Sequence, residues 1–198
     1  MDQVVAQAML KWPNVPHCYG WLGLDARGAW RMRDEQAQRQ GLPGDKIMHT
    51  ALVGFINRNY KADEQGCWYF QNGPQRVYVD LALTPYIAHT DPLQGFVLQT
   101  GEAMQAIDSV MLTEEGRVLL AAPGQIAAVD DRDLAQCLAQ LRMDGKEVSD
   151  ETLLDWLATP ADQRPLTWQQ AETTIPVTRI STKHIASTFG FVPKPRQT

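Results

Sequence analysis

"CYGWLGLDARGAWRMR", residues 18–33, sets two short bulky stretches on either side of a polar turn that ends in glycine. Tyr19, Trp21 and Trp30 carry the bulk that fits a pleated strand. Asp25-Ala26-Arg27-Gly28 supplies the bend, because Gly28 takes the positive φ that closes a short hairpin. The layout recurs: "LDARGAW" (24–30), "ADEQGCW" (62–68) and "LTEEGRV" (112–118) each place polar residues before Gly, then one residue, then a bulky apolar one. The spacing from Gly28 to Asp45 equals that from Gly116 to Asp133, and a helix is expected near each aspartate. The pattern predicts two copies of a β-hairpin-then-helix unit, the second at about 108–143.

Outward from these turns, the spacing predicts a helix over 3–11 stopped by Pro13, and a loop over 34–44. A longer helix is expected over 45–63, capped by Asp45, with Ile47, Met48, Ala51, Leu52, Phe55 and Ile56 on one side. His49 borders that apolar side, and Arg58 and Asn59 fall inside it. Residues 63–92 read as strand, turn and strand, with Val77, Val79 and Leu81 on one face and Arg76, Tyr78 and Asp80 on the other. Short strands continue over 95–129. A helix is expected over 130–143, capped by Asp130 or Asp131, with Leu134, Cys137, Leu138 and Leu141 on its apolar face. Another is expected over 149–159, opened by Ser149. Residues 173–181 read as a strand that Pro176 confines to a sheet edge; 182–191 read as a short helix, and 192–198 as a mobile tail. The class is α+β: antiparallel hairpins packed with three to four helices, in an N-terminal unit (1–95) and a C-terminal unit (96–198).

The 198 residues are enough for a real core, at 44% hydrophobic and 21% charged. A net charge of −5 with scattered Lys and Arg argues against a nucleic-acid or membrane-surface partner. Cys18, Cys67 and Cys137 are odd in number and far apart, which suits a reducing compartment. The N-terminus has no basic stretch leading into a long apolar run, so no signal peptide is expected. No apolar run approaches roughly 18 residues. A cytoplasmic protein is expected.

The run "RNY" (58–60), "FQNGPQRVYV" (70–79) and "DDRDL" (130–134) resembles an uncharacterised bacterial family of unknown function, over about residues 13 to 135. The layout of hairpin, helix, D-x-x-G turn and strands is more distantly similar to another uncharacterised bacterial family. That one has repeated α+β motifs and a suggested part in signal transduction. The resemblance implies an α+β repeat fold and carries no activity and no catalytic residues.

The candidate chemistry is sparse. His17, His49, His89 and His184 show no metal-ligand spacing, so no metal or other cofactor is expected. No nucleophile elbow and no phosphate loop is present. Gly44 and Lys46 in "GLPGDK" (41–46) stand at an expected helix start, but Asp45 fills the anion position as a cap. The acids of "DDRD" (130–133) suit a helix start. The best remaining set is Arg58, Asn59, Tyr60, Arg76, Tyr78 and Asp80, with His49 nearby, as binders of a small anion. The alternative is packing: Arg76 pairs with Asp80 or another acid, and Asn59 caps its helix. The reading is a protein of unknown function, non-catalytic, binding a small anionic ligand or serving a regulatory role. Two alternatives stand beside it. One is an enzyme using His49 or His89 with Asp80 as acid and base; the other is a protein-interaction module presenting Trp156 and Trp168.

Overall fold

The computed structural model describes residues 3–11, 14–159, 161–162, 164–170 and 173–197. Its three glycine turns share one backbone geometry. Gly28, Gly66 and Gly116 have φ of 77°, 78° and 77°. Each donates its N–H to the carbonyl of the residue three before it: Asp25, Asp63 and Thr113. Each of those three donates in turn to the carbonyl just beyond the glycine: Ala29, Cys67 and Arg117. The side chains of Asp25, Asp63 and Thr113 fold back to accept backbone N–H groups of the same turn. This is the three-residue hairpin loop with a left-handed closing residue.

Helix α1 (Gln3–Lys11) precedes β1 (Cys18–Leu24), β2 (Trp30–Met32), α2 (Glu35–Gln40), β3 (Asp45–Lys46), α3 (Thr50–Arg58), β4 (Tyr60–Ala62), β5 (Trp68–Asn72) and β6 (Gln75–Leu81). Then follow β7 (Tyr86–Asp91), β8 (Gly95–Leu98), β9 (Ser109–Thr113), β10 (Val118–Ala122) and β11 (Gln125–Val129). The chain ends with α4 (Leu134–Leu138), β12 (Leu141–Met143), β13 (Lys146–Glu147), α5 (Asp150–Ala158), β14 (Leu166–Gln170), β15 (Thr173–Ile180) and α6 (Ile185–Phe189). The class is α+β, with two open sheets. No described helix is long and apolar enough to cross a membrane.

The six-stranded sheet runs β3-β2-β1-β6-β5-β4. The nine-stranded sheet contains the run β11-β10-β9-β15-β14-β12, extended by β7 and β8 on one side and β13 on the other. Strand for strand, the two runs have the same pairing senses. β1 lies parallel to β6 and β9 lies parallel to β15; every other pair in the two runs is antiparallel. Membership changes from one sheet to the other between Leu81 and Tyr86.

One core lies between the sheets. Leu22, Leu24, Trp30, Phe70, Val79 and Leu81 of the first meet Ile87, Met111, Leu119, Ala121 and Ala128 of the second, with Ile56 of α3 and Ile185 of α6. The far face of the second sheet, with Leu112, Leu120 and Trp168, is packed with Cys137 of α4 and with Leu153 and Trp156 of α5. Trp156 and Trp168 are therefore buried core residues and present no surface. The Val77, Val79, Leu81 face of β6 packs as its alternation predicts.

Several local expectations give way to non-local pairing. Residues 35–40 are a helix, not loop: the Asp34 carboxylate accepts the Ala37 N–H, and Gly41 closes the turn in the left-handed region. Asp45 caps nothing. It pairs with Met32 in β3, and the helix begins five residues later, capped by His49. The helix expected over 130–143 is only α4; Leu141 belongs to β12, and Asp133 holds the N-cap place without a side-chain bond. Pro176 lies in an interior strand. It pairs with Thr167, and the β9 pairing begins only at Val177, so the missing N–H interrupts no ladder bond to β9. The tail is tied down, with the Leu81 N–H donating to the Pro193 carbonyl at 2.7 Å. Pro13 lies outside the described residues.

Candidate functional site

The pairing of β1 with both neighbours builds a gap on the outer face of the first sheet. Gly23 is in register with Asp80 of β6 on one side and with Arg31 of β2 on the other. A Cβ at Gly23 would sit 3.4 Å from the Asp80 carbonyl and 3.9 Å from both Arg31 Cβ and Arg33 Cδ. Without it, a cleft of about 250 Å³ opens among Asp25, Arg31, Arg33, Asp80 and Lys194, bordered by Leu42, Pro43 and Ala82; Leu24 and Leu81 beneath it turn their side chains into the core between the sheets.

Asp80 is 7% exposed, and both of its oxygens are taken. Arg33 Nη1 donates to Oδ2 at 2.5 Å; Arg196 donates to Oδ1 at 2.7 Å and to Oδ2 at 3.1 Å. Arg31 donates through Nε to Asp25 Oδ2 at 2.7 Å. Burial pushes the Asp25 carboxyl up, but the Ala29 N–H and Arg31 outweigh it and hold the group below its usual range.

Arg33 is fixed at both ends. Its N–H extends the β1–β2 ladder to the Trp21 carbonyl, and its carbonyl accepts from Gln38 of α2. The loop after α2 presses on the same strand: at Gly44, φ is 78° and a Cβ would lie 2.2 Å from the Met32 carbonyl, where no side chain fits. The Arg33 Nε–H is buried and has no hydrogen-bond partner among the described residues. A buried unpaired donor costs about 1–3 kcal/mol. Arg31, Arg33 and Lys194, with Arg196 beside them, outnumber Asp25 and Asp80, so the cleft keeps a positive excess. Among the described residues its lining holds no histidine, cysteine or hydroxyl.

The residues singled out from the sequence do not meet as one set, although Arg76 and Tyr78 together line an open cleft of about 690 Å³ with Asp63, Glu64 and Tyr69. Arg76 and Asp80 do not pair, because four residues along a strand span roughly 13 Å. The Arg76 guanidinium lies 4.7 Å from the Tyr69 ring centre. Tyr78 stacks on Tyr19 at 4.6 Å and donates through its hydroxyl to Asp63 at 3.0 Å. Asn59 is buried and caps α3, its Nδ2 donating to the Phe55 carbonyl at 2.9 Å. Tyr60 is a core ring whose hydroxyl donates to the Pro85 carbonyl. Arg58 is exposed at the end of α3. His49 Nδ1 accepts the Leu52 N–H. Of this set only Asp80 lines the cleft over Gly23.

His89 does not meet Asp80. Its Nδ1 lies 3.2 Å from Asp130 Oδ2, and that fully buried carboxylate also accepts from Arg132. Asp131 takes a two-bond contact from Arg27 of the first hairpin turn, so the run 130–133 ties the two sheets together. Among the described residues no group of three or more His, Cys, Asp or Glu is placed to hold a metal ion. A larger cleft of about 760 Å³ lies between the turn after β4, strands β9 to β11 and α6. Its charged lining is Asp63, Glu64 and Asp108, which repels an anion.

The arginines that matter, Arg31, Arg33 and Arg196, were not readable as a set. Their signal is the alternation of Arg31 and Arg33 on one strand face, which acquires meaning only once Gly23 and Asp80 are known to be neighbours.

The DUF2944 family model, described as "Protein of unknown function (DUF2946)", matches residues 1–196, and the chain belongs to this family. No curated protein matches it. Among solved structures the chain is similar to a DUF1285 family protein from Silicibacter pomeroyi, at 12% identity and a TM-score of 0.49, over 89% of this chain and 94% of that one.

Proposed function

We propose that this member of a family of unknown function is a non-catalytic module that binds a small anion in the cleft over Asp80. The carrying observation is Arg33. Its guanidinium is held in place by Asp80, and its Nε–H faces no acceptor. An anion reaching that edge gains a charge-assisted bond and removes the penalty of the unpaired donor. Asp80, clamped by two arginines, serves as the anchor of Arg33 and not as a base. The Nε–H is closed to solvent, so access requires the wall to yield. The C-terminal segment bearing Lys194 is held there by backbone bonds at Val192 and Pro193 and by the Arg196 contact.

The like strand order of the two sheets supports reading the chain as two related units, the first ending with β6 and the second beginning with β9. The three unpaired cysteines suit a cytoplasmic location.

The test is a thermal-shift series with acetate, phosphate and sulfate on the wild type, Lys194→Ala and Arg33→Gln. Binding stabilises by RT ln(1 + [L]/Kd), about 2.7 kcal/mol at one hundred times Kd. At least one anion is expected to raise the melting temperature in the wild type, less in Lys194→Ala and least in Arg33→Gln. No shift with any anion, or equal shifts in all three proteins, would overturn the proposal.

A further inference from the structure

We infer that Arg196 is a positioning residue of the anion site and that the C-terminal tail thereby regulates it; the inference rests on the anion site proposed above. Asp80 is one carboxylate claimed by two arginines. Arg33 reaches it through Nη1 alone, and only at Oδ2. Arg196 holds the other oxygen, Oδ1, at 2.7 Å.

Elsewhere in the chain, an arginine with a carboxylate to itself docks differently. Arg27 on Asp131, Arg132 on Asp130 and Arg164 on Asp162 each bind side-on, donating from both Nε and Nη2. That two-bond fork is the stronger arrangement. Arg33 lacks it: its Nε–H is buried and has no partner among the described residues. The oxygen that a fork on Asp80 needs is the one Arg196 occupies. Room for the change exists, because Gly23 pairs with Asp80 and leaves the space beside Arg33 Cδ without a side chain. When Arg196 leaves, Arg33 turns side-on and its Nε–H is taken up by Asp80. While Arg196 is docked, that donor is kept for an anion.

The tail is weakly tied at this point. The Val192 N–H donates to the Gly66 carbonyl, and the Pro193 carbonyl accepts from Leu81. Beyond Pro193, the hydrogen-bonded tie to the rest of the chain among the described residues is Arg196 on Asp80. Pro195 has no N–H with which to add a backbone bond. The Arg196 side chain is 55% exposed, so release moves little buried surface into water.

Nitrogen-15 NMR of the arginine Nε–H signals in the wild type and in Arg196→Ala, with no anion added, reads the exchange. Arg33→Gln assigns the Arg33 signal. That signal is expected to move downfield in Arg196→Ala, as the Nε–H gains a carboxylate partner. The rise in melting temperature that acetate, phosphate or sulfate gives the wild type should be lost in the same variant. Deletion of residues 196–198 should reproduce both effects. An Arg33 signal unmoved in Arg196→Ala, or an anion-induced rise as large there as in the wild type, would overturn the positioning role and leave the anion site standing. No rise with any of the three anions in the wild type would overturn both.

Discussion

Arg196 Nη1 donates to Asp80 Oδ1 across 2.7 Å, joining two residues 116 positions apart in the chain. A segment that reads from sequence as a loose tail thus closes the outer face of the first sheet. The two arginines on Asp80 differ in setting: the Arg33 side chain is 14% exposed and that of Arg196 is 55% exposed.

That difference predicts unequal costs. Arg196→Ala removes a half-exposed partner and should lower stability by about 0.5–1 kcal/mol. Arg33→Ala strips the buried side of the pair and should cost roughly 3 kcal/mol. Urea unfolding of both variants measures the order, and equal losses would show that Asp80 does not depend on Arg33.

The first and third glycine turns give a controlled comparison. Gly28 and Gly116 share φ of 77° and the same hydrogen bonds. A Cβ at Gly28 would meet Gln99 Cβ at 2.8 Å and His89 Nε2 at 3.3 Å, whereas nothing lies within 4 Å of one at Gly116. Gly116→Ala should cost about 1 kcal/mol for the left-handed backbone alone. Gly28→Ala should cost about 1–3 kcal/mol more, from crowding. Denaturant midpoints of the two variants check this.

Asp130, the fully buried carboxylate among those held low, should contribute to acid sensitivity. Burial pushes its carboxyl up, but Arg132, by side chain and backbone, outweighs that and brings it from 3.8 to about 2. A carboxyl depressed in the folded state adds stability that is complete above the unfolded value and is lost as pH falls through the folded one. The stability gap between the wild type and Asp130→Asn should therefore be widest above roughly pH 5 and close toward pH 2. A gap that does not change with pH would contradict the Arg132 pairing.

The turns were legible because each is a local object: a side-chain acceptor, a glycine, and two backbone bonds within five residues. The helix starts were less so. Asp45 has the right chemistry for a cap, but pairing with Met32 claims it for a strand, and His49 caps instead. Arg76 and Asp80 were expected to pair on one strand face, but four residues along a strand leaves them two pleats apart. The cleft itself was hidden, since it exists only through the parallel pairing of β1 with β6 and the return of the tail, contacts that no local pattern encodes.

The most direct test of the anion site follows the arginine Nε–H signals by nitrogen-15 NMR while acetate, phosphate and sulfate are each titrated into the full chain, with Arg33→Gln and Arg76→Ala used to assign them. The account predicts that the Arg33 Nε–H signal moves downfield and saturates, while that of Arg76, seated on Tyr69 outside the cleft, stays in place. An unmoved Arg33 signal, or a shift at Arg76 in its stead, would contradict it.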